Sequence, residues 1–580
     1  MSLISYIFRN TYKYFLMILS FSASYPVFSQ AGASDFTGVN LSDDYEVSIS
    51  NAGATRQLHV FINSCPEYQP GYQNMETKDK NPLSLFSGRS ISWSKFSHSY
   101  PVTVNVKIIN PDLVPGGKPV KVLPSRFEIE TSTNGNTVSF TLSEPGQYSL
   151  EIGEDGYKNG LMIFADPPET DIPTINDPSF LVLNEASHEN ISLIPDSYSG
   201  IYFSRGVHDI GIWDVPVHIK NIYFEDGSWV YGALRMDGNP GVRIYGRGVL
   251  SSYRLNYRQA HCIEAINGSN EINIEGLVVA DPKYFGIRLI GRDNIISYAK
   301  VIGGWVYNCD GISAFAGSRV SKCFIWANDD AVKAYRDSLQ WSDIVVWQLN
   351  NGGIIQMSWG GATGGSTSKG VTIKRLDVLH AEWNVDRFNA GLLNCVGNHY
   401  HDPGKSDLIE NWLIENVVCE TAIPLIWNIT PDSYSACHIK GLKMKNWNVK
   451  MYMDQGFINR IKGGDPAVFF TGFVFDSVIF NNVLLTNTSE WIKITGMQAG
   501  FLDTPQFVPA TSPADTEAPV LYPNPVNRIL FLGEEKQYSI YNLSGMLVSN
   551  GTDNKVNVSG LKSGLYIIRS GNKREKFIKY

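Results

Sequence analysis

Three aspartates carry the strongest chemical signal in this 580-residue chain. Asp310 lies in the corner Asn308-Cys309-Asp310-Gly311, and Asp329 and Asp330 follow Asn328 in a second corner. Aligned on the branched apolar residues that come next, Ile312 and Val332, Asp310 falls on Asp330 and Asp329 precedes it. Three carboxylates within a few ångströms cannot all ionise freely, so at least one is expected to hold a proton near neutral pH. A protonated acid beside ionised partners is what glycosidic bond cleavage requires. Types and spacing alone leave open which of the three holds the proton.

Something must stack these corners. The same register extends to Gly286-Ile287 upstream and Gly353-Ile354 downstream, so Ile287, Ile312, Val332 and Ile354 are spaced 25, 20 and 22 residues apart. Short branched-apolar strands with Gly/Asn turns at that period predict a solenoid, here a parallel β-helix. Neighbouring coils stack about 4.8 Å apart, which would gather Asp310, Asp329 and Asp330 in one groove open to water. Adjacent residues of a regular strand face opposite sides, so Asp329 and Asp330 can share that groove only where the backbone turns or bulges. The bland alternative is that acidic and Asn residues merely form the corners of the coil. Two such corners one coil apart favour a site.

Around the aspartates, Lys333 and Tyr335 alternate with Val332 and Ala334. Lys333 would either hydrogen-bond sugar hydroxyls or hold a carboxylate ionised. Asn308, Gln356 and Trp359 occupy the same wall, with Trp359 placed to stack on a sugar ring, and all five are candidate substrate contacts. Trp305 and Trp326 read as core. His380, His399 and His401 show no ligand spacing, and neither metal nor organic cofactor is expected.

Composition narrows the partners. A net charge of −8 without a Lys/Arg run argues against nucleic acid or anionic membrane. Aromatic residues make up 12% and charged residues only 18%, which suits a neutral carbohydrate handled by an all-β protein. The seven cysteines form no Cys-x-x-Cys and are expected to act as small buried hydrophobes, with room for one oxidised pair. A monomer is expected.

Residues 1–29 read as an export signal, with Arg9 and Lys13 before the apolar run 14–22 and a small-residue cleavage site at Val27-Phe28-Ser29. That run is too short to span a membrane, and no later segment is apolar enough. Alternating strands at 56–62, 102–109, 137–142, 144–152 and 161–165 predict a β-sandwich over 34–177. The coils are expected over 180–500, followed by a Pro/Thr/Ala-rich linker at 504–519.

Residues 520–580 open with Tyr522-Pro-Asn-Pro, pass through Leu561-Lys-Ser-Gly-Leu-Tyr-Ile-Ile and end in a basic stretch. They resemble the C-terminal sorting domain read by the type IX secretion system, which implies a secreted or cell-surface protein and that machinery as a partner. Over about 180–490 the chain resembles glycoside hydrolase family 49, through Asn328-Asp-Asp-Ala-Val-Lys-Ala-Tyr, Ile354-Ile-Gln-Met-Ser-Trp, Gly370-Val-Thr-Ile-Lys-Arg-Leu-Asp-Val-Leu-His and Tyr245-Gly-Arg-Gly-Val-Leu-Ser. The resemblance implies a β-sandwich before a right-handed parallel β-helix, and inverting hydrolysis of α-glucan. It makes Asp329 the general acid, with Asp310 and Asp330 positioning and deprotonating the attacking water. Inversion agrees with a water lodged between acid and base, for which carboxyl groups typically stand about 6.5–9.5 Å apart. Endo-dextranase action on α-1,6 bonds is the leading expectation, and isopullulanase-like α-1,4 cleavage is its neighbour. A polygalacturonase-like or lyase β-helix enzyme and a non-catalytic glycan-binding protein are the competing classes. The Arg-Ile-Lys motif of the polygalacturonases is not evident, which favours a neutral glucan.

Overall fold

The computed structural model describes residues 36–51, 53–72, 82–184, 191, 193–358, 367–396, 407–430, 437–453, 456–465, 468–495, 498–508, 529–542, 546–570 and 573–579. The expected export signal and Trp359, His399 and His401 lie outside them, as does the linker after residue 508.

Two five-stranded sheets come first, and their alternating strands bury one face each. Tyr45–Asn51 and Val102–Ile108 pair antiparallel at the centre of one sheet. Ser90–Ser97 and Leu161–Asp166 pair in parallel at the centre of the other. Val47, Val104, Val106, Phe140, Leu150 and Ile163 fill the space between the sheets. This is the sandwich that the strand spacing predicts.

From Phe180 to Val508 the strands join one continuous sheet, nearly all pairing in parallel with the strand a coil away, while Gly464–Asp465 and Val483–Leu484 pair antiparallel with their sequence neighbours. The coil has three faces. One is traced by Ile295–Ser297, Arg319–Ser321 and the start of Gln340–Gln348. A second runs through Val278–Ala280, Lys300–Ile302 and Phe324–Ala327. The third runs through Ile263–Ile266, Ile287–Leu289, Ile312–Ala314, Val332–Lys333, Ile355–Ser358, Leu393–Val396 and Trp427–Thr430. Branched residues from all three meet inside, where Ile287, Ile312, Val332 and Ile355 are fully buried. The array reaches past residue 500, because Gln506–Val508 pairs with Val474–Asp476. Residues 506–508, which the sequence assigns to the linker, are therefore strand.

One rung differs from the expected register: Val332 pairs with Ile355, not Ile354. The extra residue is taken up at Gly352, whose φ of +83° suits glycine and where a Cβ would strike the backbone of Asp329 and Asp330.

The second face turns apolar side chains outward as well. Val278, Ala280, Ile302, Phe324, Trp326, Val345 and Trp347 pack with Trp93 and Phe164 of the sandwich and with Trp305. The core reading of Trp305 and Trp326 holds. All seven cysteines are buried and none is in a disulfide. Among the described residues no helix is long and apolar enough to cross a membrane. A separate four-stranded antiparallel sheet, from Ile529–Asn542 to Lys573–Lys579, closes the chain.

Candidate active site

The three aspartates meet at the corner where the second face turns into the third. Asp310 and Asp330 each lie two residues before paired strand residues, Ile312 and Val332, so they stack on successive coils. Gly311 permits the approach, since a Cβ there would meet the Ala331 carbonyl and the Ile325 side chain. Asp329 joins them because the backbone bends at 328–329 instead of continuing as strand. Two buried amides brace that bend. The Asn328 side chain donates to the Trp305 carbonyl (2.5 Å) and accepts from the Asn351 amide (3.1 Å). Gln348 Nε2 donates to the carbonyls of Asp329 (2.9 Å), Ala327 (3.3 Å) and Asn351. The bulge that the sequence requires is built from Asn and Gln side chains spanning three coils.

One oxygen of each carboxylate lies within 4.8 Å of the others. This is closer than the range typical of inverting acid–base pairs. A single cation draws two of them together: Lys333 Nζ sits 2.5 Å from Asp310 Oδ2 and 2.8 Å from Asp330 Oδ2. Lys333 thus holds carboxylates, the second of the two roles expected of it. Tyr335 Oη lies 3.3 Å from Nζ and donates to Asp330 Oδ2 at 3.4 Å. Three carboxylates so grouped are also a possible ligand set for a divalent cation, but between Asp310 and Asp330 the ammonium already supplies the positive charge.

Asp329 is held differently. Its Oδ2 accepts from the Asn308 backbone N–H (3.0 Å), Asn308 Nδ2 (3.3 Å) and Asn351 Nδ2 (2.7 Å). Its Oδ1 accepts from the Asp330 N–H (3.0 Å) and Asn389 Nδ2 (3.3 Å). Asn308 therefore grips a carboxylate with both donors, while its Oδ1 accepts from Tyr257 (2.7 Å). Tyr257 is itself fixed by the sandwich side, its N–H on the Pro70 carbonyl (2.9 Å) and its ring edge-on to Tyr72. A polar chain thus runs from the sandwich through Tyr257 and Asn308 to Asp329.

Asp310, Asp329 and Asp330 are exposed by 2%, 4% and 0%. The open groove expected from the sequence is in fact nearly closed, because Asn308, Lys333, Tyr335, Asn351 and Asn389 crowd the carboxylates. Burial first, then repulsion from Asp330, pushes Asp329 up to about 6, against the pull of Lys333 and the amide donors. Asp310 is pushed well above the usual carboxylate range, by burial first and by both neighbouring aspartates, with Lys333 opposing. Its Oδ1 has no hydrogen-bond partner among the described residues. Burial works against the charge on Lys333, but Asp310 and Asp330 prevail and hold the ammonium protonated.

Gln356 pairs with Lys333 on the next coil and is fully buried. Its Nε2 donates to the Ser358 carbonyl (2.8 Å), leaving Oε1 without a partner among the described residues. Asn351, Asn389 and Gln348 were not singled out in the sequence. Asn351 and Gln348 carry a readable signal, one coil after Asn328, whereas Asn389 arrives from a loop with no register.

Fold and site together define a class: a three-faced parallel β-helix behind a β-sandwich, with a cluster of three buried carboxylates at one corner. A dextranase from Arthrobacter sp. (strain CB-8) is 23% identical over 497 residues, covering 73% of this chain and 76% of that protein. A dextranase from Talaromyces minioluteus is 24% identical over 480 residues, covering 68% and 76%. An isopullulanase from Aspergillus niger is 20% identical over 416 residues, covering 62% and 71%. Among solved structures, Dex49A from Penicillium minioluteum shares the fold with a TM-score of 0.65 at 18% identity, covering 81% of this chain and 94% of that one. Residues 520–580 match the secretion system C-terminal sorting domain. These matches indicate glycoside hydrolase family 49, in agreement with the resemblance read from the sequence, and a protein that is secreted or held at the cell surface.

Proposed function

We propose that this chain is an exported endo-dextranase that hydrolyses α-1,6 bonds of α-glucan with inversion, acting as a monomer. The observation that carries the chemistry is the cluster of three buried carboxylates around one ammonium. Two negative charges in excess, shielded from water, draw in a proton that an open site would not hold. Asp329 is assigned the general acid, its value near 6 keeping it protonated in mildly acidic solution. Asp310 and Asp330, gathered by Lys333, orient a water on the opposite side of the anomeric carbon and take its proton as the bond breaks. Asn308, Asn351 and Asn389 stabilise the Asp329 carboxylate after it has given up its proton. Lys333 and Tyr335 hold the base pair, and Gln356 Oε1 is an acceptor for a sugar hydroxyl. Trp359 stays a candidate stacking residue.

The unpartnered Asp310 Oδ1 favours a second reading, in which Asp310 carries the transferable proton. Substrates with a leaving group that needs no protonation separate the two. A glucosyl fluoride should rescue whichever of Asp329→Asn and Asp310→Asn has lost only the acid, and it should not rescue loss of the base.

Incubation with dextran and with pullulan, followed by sizing of the products, tests the substrate. Shortening of dextran to oligosaccharides is expected, and absence of new reducing ends from either would overturn the assignment. NMR of fresh product should show the β-anomer first. Because the carboxylates approach more closely than is usual for inversion, initial α-product would reassign the mechanism as retaining.

A further inference from the structure

We propose that Phe388 forms a sugar-binding platform at the rim of the site, against which a glucosyl ring of the bound chain packs its apolar face. This rests on the glucan reading above. Phe388 is 61% exposed, an unusual position for a phenyl ring in a chain that buries most of its aromatic surface. The segment that carries it is fastened by buried amides. Asn394 Nδ2 donates to the carbonyls of Phe388 and Ala390, both at 2.8 Å. Asn428 Nδ2 donates to those of Arg387 (3.0 Å), Phe388 (3.0 Å) and Ala390 (2.9 Å). Asp386 makes a two-pronged ion pair with Arg460 at 2.8 and 2.5 Å. Arg387 reaches Asn350 and Tyr307.

These braces come from the same face as the catalytic corner. Lys333, Gln356, Asn394, Asn428 and Arg460 pair in succession, one per coil. The coils beyond Gln356 therefore use their outward polar groups, Asn394, Asn428 and Arg460, to hold one short segment. At its inner edge Asn389 is buried and bonds Asp329; at its outer edge Phe388 meets solvent. A glucan whose scissile bond reaches Asp329 must pass that rim. A backbone fixed in advance brings its aromatic side chain to the sugar with less freedom to lose on binding, so more of the contact goes into affinity. Ordinary solubility would favour a polar residue there.

The test measures dextran hydrolysis and, in an Asp329→Asn background, binding of an isomaltooligosaccharide by calorimetry, for Phe388→Ala, Phe388→Tyr and the unaltered chain. Phe388→Ala is expected to raise KM and weaken binding by about three- to tenfold, with less change in kcat. Phe388→Tyr should stay near the unaltered values, and the melting temperature of both should hold. Equal KM and equal binding for Phe388→Ala and the unaltered protein would overturn the platform while leaving the hydrolase standing. No hydrolysis of dextran by the unaltered protein would instead remove the reading on which it rests.

Discussion

Two clusters of buried charge sit within the same solenoid, and their contrast separates structure from function. Where the sandwich meets the second face, Lys300 is completely buried and bonded to Asp166, and its Nζ also donates to the Gly276 carbonyl at 3.2 Å. Arg247 lies 3.7 Å from Asp166 and 2.9 Å from Glu275. These two cations face three carboxylates, since Glu169 also acts on Arg247. At the corner, one ammonium faces three carboxylates. Both clusters are screened from water, so burial alone does not mark a site. The imbalance does: an excess of two negative charges in a poorly solvated corner is relieved by binding a proton, and a held proton is what acid catalysis uses. The more nearly balanced cluster joins the sandwich to the solenoid.

The largest expected difference comes from removing one member of each. Asp329→Asn should lower dextran hydrolysis by about a thousandfold or more, since a general acid contributes roughly 10²–10⁴. Its melting temperature should hold or rise, because a like charge has left a crowded corner. Lys300→Met should do the opposite. It leaves Asp166 and Glu275 with only Arg247, which is expected to destabilise the fold by about 3–5 kcal/mol, with kcat of the folded fraction preserved. Denaturant unfolding beside initial rates separates the two, and a Lys300→Met protein of full stability and no activity would erase the contrast. Lys333→Met falls between them. The carboxylates lose their shared cation, activity drops, and both limbs of the pH profile move to higher pH, since losing a nearby positive charge raises each carboxyl.

A smaller effect follows from pH alone. Asp329, raised to about 6 by burial and by Asp330, is protonated below that value. The alkaline limb of kcat/KM should therefore bend near pH 6 and fall tenfold per unit above it. The sign for stability is the same. A carboxyl whose folded value exceeds its unfolded one binds protons more tightly in the native state, so its contribution is complete below pH about 4 and is lost as pH rises to about 6. Asp329→Asn should flatten that slope, while Lys300→Met should leave it. An unchanged slope in Asp329→Asn would assign the proton elsewhere.

How much of this is legible in the sequence follows from what each feature depends on. The stacking of Asp310 on Asp330 was legible, because a coil repeats its branched residues and the aspartates keep a constant offset from them. The sandwich strands were legible for the same reason, through their alternation. The bend at 328–329 was legible only as a requirement, since its braces Asn328 and Gln348 act across coils. The slip from Ile354 to Ile355 was hidden because both are branched and both are buried, so nothing in their type records which one pairs. Asn389 and the near closure of the corner depend on a loop returning from two coils away, and loops carry no period. The role of the sandwich at the site was equally unreadable, since Pro70 and Tyr257 are far apart in sequence and neither belongs to a motif.

That last contact yields the mildest prediction, and it probes how sharply the two clusters are separated. Tyr257 donates to Asn308 at 2.7 Å, and Asn308 spends both of its donors on Asp329. Tyr257→Phe keeps the ring that packs on Tyr72 and removes only the hydroxyl. Asn308 would then keep its place through the turn, where its φ of 60° already suits Asn, but its amide would be free to rotate away from the carboxylate. One net hydrogen bond is worth about 1 kcal/mol, so kcat should fall roughly fivefold with little change in KM or melting temperature. With fewer donors reaching its charged form, Asp329 should also bind its proton more tightly, which moves the alkaline limb to higher pH. A shift in that limb would make the sandwich part of the catalytic apparatus through a single polar chain. A drop in melting temperature with an unmoved limb would place Tyr257 with Lys300, among the groups that only hold the two domains together.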